Sequence, residues 1–312
     1  MILAALLLFS TQFQINTQVQ ETVQLQTMTG VLEGTLLTPS PKTKVPVAVI
    51  IAGSGPTDRD GNSGALPGKN DSLKQLAEGL ASRGVATVRY DKRGVGKSAQ
   101  AGASESALRF GMYVDDAVAW IKKLQADQRF SKVVVIGHSE GSLIGMMAAQ
   151  RAGAAGFVSI AGISRPAGTI LREQLQGKLA PELLRESERI LTELEAGRTV
   201  DNAPPMLAAL FRPTVQPYLI SWFQVDPAKE MAKLTMPSLV VQGTTDLQTS
   251  VADARGLQRA NPKAELVLIE GMNHVLKAVE GDLAKQLPSY GDPSLTVVTE
   301  LVDKVAKFIR AR

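Results

Sequence analysis

Short apolar runs without a polar face dominate the chain after Pro46, and they constrain its fold more than any other feature. The runs are Val47–Ile51, Val85–Tyr90, Val133–Ile136, Phe157–Ile160, Leu239–Val241 and Leu266–Ile269. Such runs are typical of parallel strands that helices cover on both faces. Segments with helical periodicity alternate with them, over Ser72–Ser82, Met112–Ala126, Gly141–Arg151, Val251–Ala260 and Leu295–Ala311. This order predicts an α/β fold with a mostly parallel, doubly wound sheet.

Two strands of another kind precede these runs. From Thr17 to Thr27, apolar residues alternate with glutamines, which predicts a half-solvated strand. Gly30 ends this strand, and a second run, Val31–Thr38, follows at once. We therefore predict an N-terminal antiparallel hairpin at one edge of the sheet. It belongs to a core that comprises residues 17–162 and 234–312.

Residues 163–233 interrupt the alternation of strands and helices. A crossover between parallel strands needs only about a dozen residues, so this stretch is predicted to be an inserted helical cap. One charged amphipathic helix is expected over Thr169–Gly197, followed by a Pro-rich segment. The segment concentrates large apolar side chains, which either pack the insertion onto the body or line an acyl pocket: Met206, Phe211, Tyr218, Trp222 and Phe223.

Composition excludes several classes of function. The 34 Lys and Arg residues are scattered and nearly balanced by 30 Asp and Glu residues, and aromatic residues make up only 4%. Nucleic acid is therefore not an expected partner. The chain has no Cys, and no His, Asp or Glu cluster has metal-ligand spacing, so we expect no metal. Gly94-x-Gly96-x-x-Ala99 matches a dinucleotide fingerprint only loosely, so we expect no cofactor.

The apolar run Ile2–Phe9 is too short to span a bilayer. Residues 1–16 fit a signal-peptide remnant or, alternatively, an apolar arm packed on the body. The first interpretation predicts export, to the periplasm or outside the cell, and the second a cytoplasmic protein. No other stretch approaches the roughly 20 apolar residues of a membrane helix, so no membrane association is expected.

The sequence Gly137-x-Ser139-x-Gly141 joins a predicted strand to a predicted helix. A nucleophile elbow needs this context, because the strand must end in a sharp turn and small residues must flank the serine. The helix that begins after Ser139 also directs backbone N–H groups toward a developing oxyanion. The pattern therefore predicts Ser139 as a nucleophile.

A nucleophilic serine needs a base, nearly always histidine, and this chain has only two. His138 adjoins Ser139 and its side chain diverges from it, so His274 is the candidate base. The base needs a carboxylate to orient it. Asp246 follows a predicted core strand and precedes His274, which gives the chain order Ser, Asp, His of one known triad arrangement. The weaker rivals for the acid are Asp226, Asp253 and Glu270.

The glycine-rich loop 52–62 follows the first parallel strand. Its glycines allow the backbone to approach a substrate closely. We expect the backbone N–H groups of Ser54 and Glu140 to form an oxyanion hole. The candidate substrate contacts are Gly53, His138, Trp222 and Phe223.

The segments AGSGPTDRDGN, VRYDKRGVGKS, GHSEG, GTTD and GMNH together resemble the α/β-hydrolase superfamily, in its bacterial carboxylesterase and serine-aminopeptidase-like branch. The resemblance covers residues 45–312. It implies an α/β-hydrolase fold, a triad of Ser139, Asp246 and His274, and oxyanion donors at Ser54 and Glu140. In relatives the first loop usually begins His-Gly, whereas this chain has Ala52, which alters that support of the hole.

These observations predict a serine carboxylesterase that hydrolyses small, short-acyl esters through an acyl-enzyme. A serine exopeptidase is the alternative within the same chemistry. It would need an acidic anchor for a substrate amine, and the candidates are Glu140, Glu182, Glu186 and Glu193. A non-catalytic binding protein on this fold is the alternative from another class.

Overall fold

A computed structural model describes residues 18–39, 44–64, 67–102 and 104–311. The apolar segment 1–16 lies outside the described residues. Within them, one eight-stranded sheet has the order β1-β2-β4-β3-β5-β6-β7-β8. The strands are β1 (Val19–Gln26), β2 (Val31–Thr38), β3 (Val45–Ile51), β4 (Ala86–Tyr90), β5 (Phe130–His138), β6 (Gly156–Ile160), β7 (Ser238–Gly243) and β8 (Glu265–Ile269).

The predicted sheet topology is confirmed. Strands β1 and β2 form an antiparallel hairpin at one edge, and β2 also pairs antiparallel with β4. All remaining neighbours, from β4 to β8, pair in parallel. The carboxyl ends of the parallel strands therefore meet at one edge of the sheet, where loops from distant parts of the sequence come together.

Helices cover both faces of the parallel part of the sheet, which explains why these strands lack a polar face. Helices α1 (Ser72–Ala81) and α11 (Thr299–Arg310) pack on one face, with Ala48 and Ile50 of β3. Helices α2 (Phe110–Gln125), α3 (Glu140–Ala152) and α9 (Val251–Ala260) pack on the other, with Val47 and Val49. Successive residues of one strand thus enter two different cores.

Between β6 and β7 the chain is helical. The helices are α4 (Ala167–Leu175), α5 (Pro181–Glu195), α6 (Ala208–Phe211), α7 (Gln216–Phe223) and α8 (Pro227–Ala232), with a 3₁₀ turn at Pro205–Leu207. The prediction of one helix over Thr169–Gly197 is wrong. Gly177 adopts a left-handed backbone with φ of 75°, and Pro181 starts a new helix, so the amphipathic pattern divides into α4 and α5.

The chain after His274 also differs from the prediction. Residues 295–298 are not helical, because Val297 pairs with Lys277 in an isolated bridge and α11 begins only at Thr299. A short helix, α10 (Leu283–Gln286), and a 3₁₀ turn at Leu287–Gly291 precede this segment and were not predicted. No helix in the described part of the chain is long and apolar enough to cross a membrane.

Candidate active site

The turn between β5 and α3 has the geometry of a nucleophile elbow. Strand β5 ends at His138 and α3 begins at Glu140, which leaves Ser139 alone in the turn with φ of 55° and ψ of −123°. A Cβ atom on Gly137 would lie 2.1 Å from the carbonyl oxygen of Gly141, so a side chain there would collide with the turn. The small residues therefore permit the turn that holds Ser139 in a strained backbone conformation.

Asp246 and His274 lie at the ends of neighbouring strands and touch. Asp246 follows β7, His274 follows β8, and Asp246 Oδ2 lies 2.8 Å from His274 Nδ1. Burial by itself would raise the pKa of Asp246, but the charge and hydrogen bond of His274 and the backbone N–H groups of Gln248 and Thr249 lower it to about 2. The carboxylate is therefore ionised across the physiological range and can stabilise a protonated imidazole.

The rival carboxylates are engaged elsewhere. Asp253 forms an ion pair with Arg165 and accepts a hydrogen bond from Ser250 at the start of α9. Asp226 caps α8 by accepting the backbone N–H of Lys229. Glu270 is exposed. The structure therefore brings Asp246, and none of these three, into contact with His274.

His138 contacts the base loop through its ring. Its Nε2 atom lies 2.9 Å from the carbonyl oxygen of His274, and the two imidazole rings are 4.9 Å apart. Burial and the neighbouring His274 lower the pKa of His138 to about 3, so its ring is neutral at neutral pH. Nε2 must then carry the proton, because a carbonyl oxygen only accepts. This hydrogen bond holds the His274 loop beside the elbow.

The Ser139 hydroxyl makes no hydrogen bond to His274 within the described part of the chain. Nucleophile and base often lack a tight hydrogen bond in a free enzyme and acquire it with substrate bound. The structure thus joins Asp246 to His274 directly and joins His274 to the elbow through His138.

The loop after β3 lies against the elbow. A Cβ atom on Gly53 would lie 3.1 Å from Ser139 Cβ, so a side chain at position 53 would crowd the nucleophile. Asp91, just after β4, accepts the backbone N–H and a guanidinium N–H of Arg59, both at 2.8 Å. This contact fixes the far end of the loop. Ser54 lines the open space beside Ser139.

A cavity of about 480 Å³ opens over Ser139. Side chains of the insertion form much of its wall, together with residues of the body. The insertion contributes Ile163, Ala167, Ile170, Leu171, Gln174, Ala209, Leu210, Arg212, Val215, Tyr218, Leu219 and Trp222. The cavity therefore has a mostly apolar wall, as ligand sites usually do.

One of the four predicted substrate-contact residues lines the cavity and the other three do not. Trp222 lines the cavity, whereas Phe223, His138 and Gly53 are not among its lining residues. Phe223 is buried and packs against Trp222, at a ring distance of 6.4 Å. Of the other large residues of the insertion, Tyr218 lines the cavity, Phe211 is buried in the core and Met206 is exposed, so Met206 neither packs the insertion nor lines the cavity.

Each carboxylate in the cavity wall faces a cation. Glu140 Oε2 lies 2.9 Å from Lys92 Nζ, and Glu140 also accepts a hydrogen bond from the Tyr218 hydroxyl. Glu105 is paired with Arg212. The wall thus carries no uncompensated negative charge.

Sequence reasoning missed Lys92 as a residue of the site. The available signal was its place two residues after a strand that is buried on both faces, where a charged side chain must find a partner. Within the described residues, no group of three or more His, Cys, Asp or Glu side chains could hold a metal ion.

Comparisons with known proteins agree with this geometry. The sequence model of the family described as serine aminopeptidase, S33 matches residues 69–280. Esterase EstD of Thermotoga maritima is 27% identical over 282 residues, which cover 89% of this chain and 65% of EstD. The chain thus spans just under two thirds of the length of that relative.

Solved structures share the fold. Est1E from Butyrivibrio proteoclasticus with bound ferulic acid aligns with a TM-score of 0.62 at 20% identity, over 93% of this chain and all of that one. The α/β hydrolase GrgF from a Penicillium species aligns with a TM-score of 0.61 at 15% identity, over 94% of this chain and 98% of that one. Both likenesses show an α/β-hydrolase fold.

Proposed function

The chain belongs to the serine aminopeptidase S33 family of α/β hydrolases, and within that family we propose that it is a serine carboxylesterase acting on small, short-acyl esters. The observation that carries the proposal is the contact between Asp246 and His274, held beside the strained Ser139 elbow. The 27% identity to an esterase over most of this chain supports it further.

In the proposed reaction, the Ser139 hydroxyl attacks the ester carbonyl while His274 Nε2 takes its proton. Asp246 accepts a hydrogen bond from His274 Nδ1, which keeps a proton on that nitrogen, and stabilises the imidazolium that forms. His274 then returns the proton to the leaving alcohol, which leaves an acyl group on Ser139. Water, activated by the same histidine, releases the acid.

The negative oxygen of the tetrahedral intermediate needs fixed donors. We assign these to the backbone N–H groups of Glu140 and Ser54. Glu140 is the first residue of α3, so its N–H also lies at the positive end of that helix. The Ser54 N–H belongs to the loop that packs against Ser139. Such donors contribute about 10²–10³ each in kcat.

The charges of the cavity favour esters over peptides with a free amino terminus. An exopeptidase of that kind needs a carboxylate for the substrate ammonium group, but Glu140 is paired with Lys92 and Glu105 with Arg212. The other candidate anchors, Glu182, Glu186 and Glu193, belong to α5 and are absent from the cavity wall. A neutral ester needs no such anchor.

Cavity size supports small substrates. Ligand cavities commonly measure about 300–1,000 Å³, and this one, at about 480 Å³, must hold both the acyl and the alcohol group. We propose that residues 163–233 act as the cap that sets this limit, because their side chains form much of the cavity wall.

The test compares p-nitrophenyl esters from acetate to decanoate with aminoacyl p-nitroanilides. We expect hydrolysis of the short esters, a fall in kcat/KM for long ones, and a loss of about 10⁴- to 10⁶-fold in kcat in the Ser139→Ala variant. Faster cleavage of the anilides would assign the exopeptidase function instead. If no substrate is turned over and a fluorophosphonate fails to label Ser139, the chain is a binding protein on this fold.

A further inference from the structure

The Lys92 ammonium group lies at the centre of a buried polar chain beside the elbow. Its Nζ atom donates to the carbonyl oxygen of Gly53 at 2.5 Å and to Glu140 Oε2 at 2.9 Å. The Tyr218 hydroxyl, from α7 of the insertion, donates to the other oxygen of Glu140. Four segments of the fold thus meet at these contacts: the loop after β3, the loop after β4, the elbow and the insertion.

The ion pair at the centre of these contacts is buried. The side chains of Lys92 and Glu140 are only 3% and 2% exposed. A buried ion pair adds little net stability, because removing two charges from water offsets most of their attraction. A contribution to the stability of the fold is therefore a poor explanation for the presence of a lysine at position 92.

The carbonyl that Lys92 holds belongs to the peptide bond between Gly53 and Ser54. The described chain contains no cis peptide bond, so the Ser54 N–H points away from the Gly53 oxygen in the same plane. Holding that oxygen therefore fixes the direction of the Ser54 N–H. Glycine at position 53 makes such control necessary, because a glycine backbone rotates more freely than any other.

The ammonium charge has a second effect on the same peptide. A cation at a carbonyl oxygen draws electron density through the amide and strengthens its N–H as a donor. Were the peptide to flip, its carbonyl oxygen would face the site and repel an oxyanion. Lys92 opposes that flip because its partner Glu140 is fixed at the start of α3.

We infer that Lys92 is a positioning residue that orients and polarises the Gly53–Ser54 peptide for oxyanion binding, and that Tyr218 couples this peptide to the insertion through Glu140. The inference rests on the proposed function, since an oxyanion forms only if Ser139 attacks a carbonyl. It assigns Lys92 no contact with the reacting atoms.

The Lys92→Met variant tests this inference. A trifluoromethyl ketone with a short acyl chain forms a tetrahedral oxyanion on the serine, so its inhibition constant reports the hole directly. We expect kcat for p-nitrophenyl acetate to fall by about 10- to 100-fold and KM to change by less than about twofold, because a misplaced oxyanion donor weakens stabilisation of the transition state more than binding of the substrate. The inhibition constant should rise by the same factor as kcat/KM falls.

Two further variants separate positioning from folding. Lys92→Met/Glu140→Gln removes both charges, so no buried carboxylate remains unpaired, and we expect the low kcat and weak inhibitor binding to persist. Asp116→Asn breaks the neighbouring buried pair with Arg93, which does not touch the Gly53–Ser54 peptide. It should lower Tm while the ratio of the inhibition constant to KM stays that of the wild type.

Full recovery of kcat in the double variant would overturn the inference, because Lys92 would then serve only to neutralise Glu140. Unchanged inhibitor affinity in Lys92→Met would also overturn it. A wild-type protein that hydrolyses no ester and is not labelled at Ser139 by a fluorophosphonate would overturn the proposed function together with this inference.

Discussion

His138 Nε2 lies 2.9 Å from the carbonyl oxygen of His274, so the only two histidines of the chain link the elbow to the loop that carries the proposed base. One ring is committed to a backbone carbonyl, while the other meets Asp246 through Nδ1. The two histidines therefore have different proposed roles, and substitutions should distinguish them.

His274→Ala should reduce kcat almost as much as Ser139→Ala, by about 10⁴- to 10⁶-fold, because members of a triad act as a unit. His138→Gln should cost far less, since the amide can still donate to the His274 carbonyl. Steady-state kinetics with p-nitrophenyl acetate measure both effects. A larger loss of kcat/KM in a His138 variant than in His274→Ala would show that the base is wrongly assigned.

The pH dependence of stability should reveal the buried, neutral His138. Its pKa is about 3 in the folded protein against 6.5 for a free histidine, so between these values the unfolded chain binds a proton that the folded chain does not. Stability must fall as the pH drops through this window. His138→Gln removes this contribution.

Urea unfolding of His138→Gln and wild type from pH 7 to pH 4 measures this effect. Below about pH 6, each further drop of one pH unit should raise the free energy of unfolding of the variant, relative to that of the wild type, by up to about 1.4 kcal/mol. A difference between the two proteins that is constant with pH would contradict a neutral His138.

The positions of the strands along the chain and the position of the elbow could be predicted from sequence because both depend on local patterns. Apolar runs mark the parallel strands, and Gly137 and Gly141 around Ser139 mark the turn. Asp246 could be singled out only by its place after a strand. Its contact with His274, 28 residues later, depends on the pairing of β7 with β8.

Other features depend on contacts that no local pattern encodes. The division between α4 and α5 follows from the left-handed backbone at Gly177, which the helical periodicity on either side conceals. The partner of Lys92 depends on how the loop after β4 meets α3. That Trp222 lines the cavity while Phe223 does not is set by the rotation of α7 against the body.

Asp246→Asn should leave the fold intact but lower kcat by up to about 10⁴-fold, because an amide favours the wrong tautomer of His274.

The matched control is Asp253→Asn. Asp253 is also buried and hydrogen-bonded, but its partners are Arg165, Ser164 and Ser250. The control should lower Tm with little effect on kcat. The reverse ranking of the two kcat values would identify Asp253 as the functional acid.

Trp222 and Phe223 provide a matched pair for testing whether the insertion sets the acyl length. The two residues are adjacent on α7 and similarly buried, at 9% and 7% exposure, but only Trp222 lines the cavity. Truncation of either to alanine should destabilise the fold by about 3–5 kcal/mol, as loss of a buried aromatic side chain does.

Trp222→Ala should also enlarge the space over Ser139, so the preferred p-nitrophenyl ester should become longer. Each methylene buried in the new space contributes about 0.8 kcal/mol, or about fourfold in kcat/KM relative to the next shorter ester. Phe223→Ala should keep the wild-type profile, because its volume lies outside the cavity. An unchanged profile in Trp222→Ala, with only Tm reduced, would show that this side chain holds the insertion to the body and does not limit the acyl group.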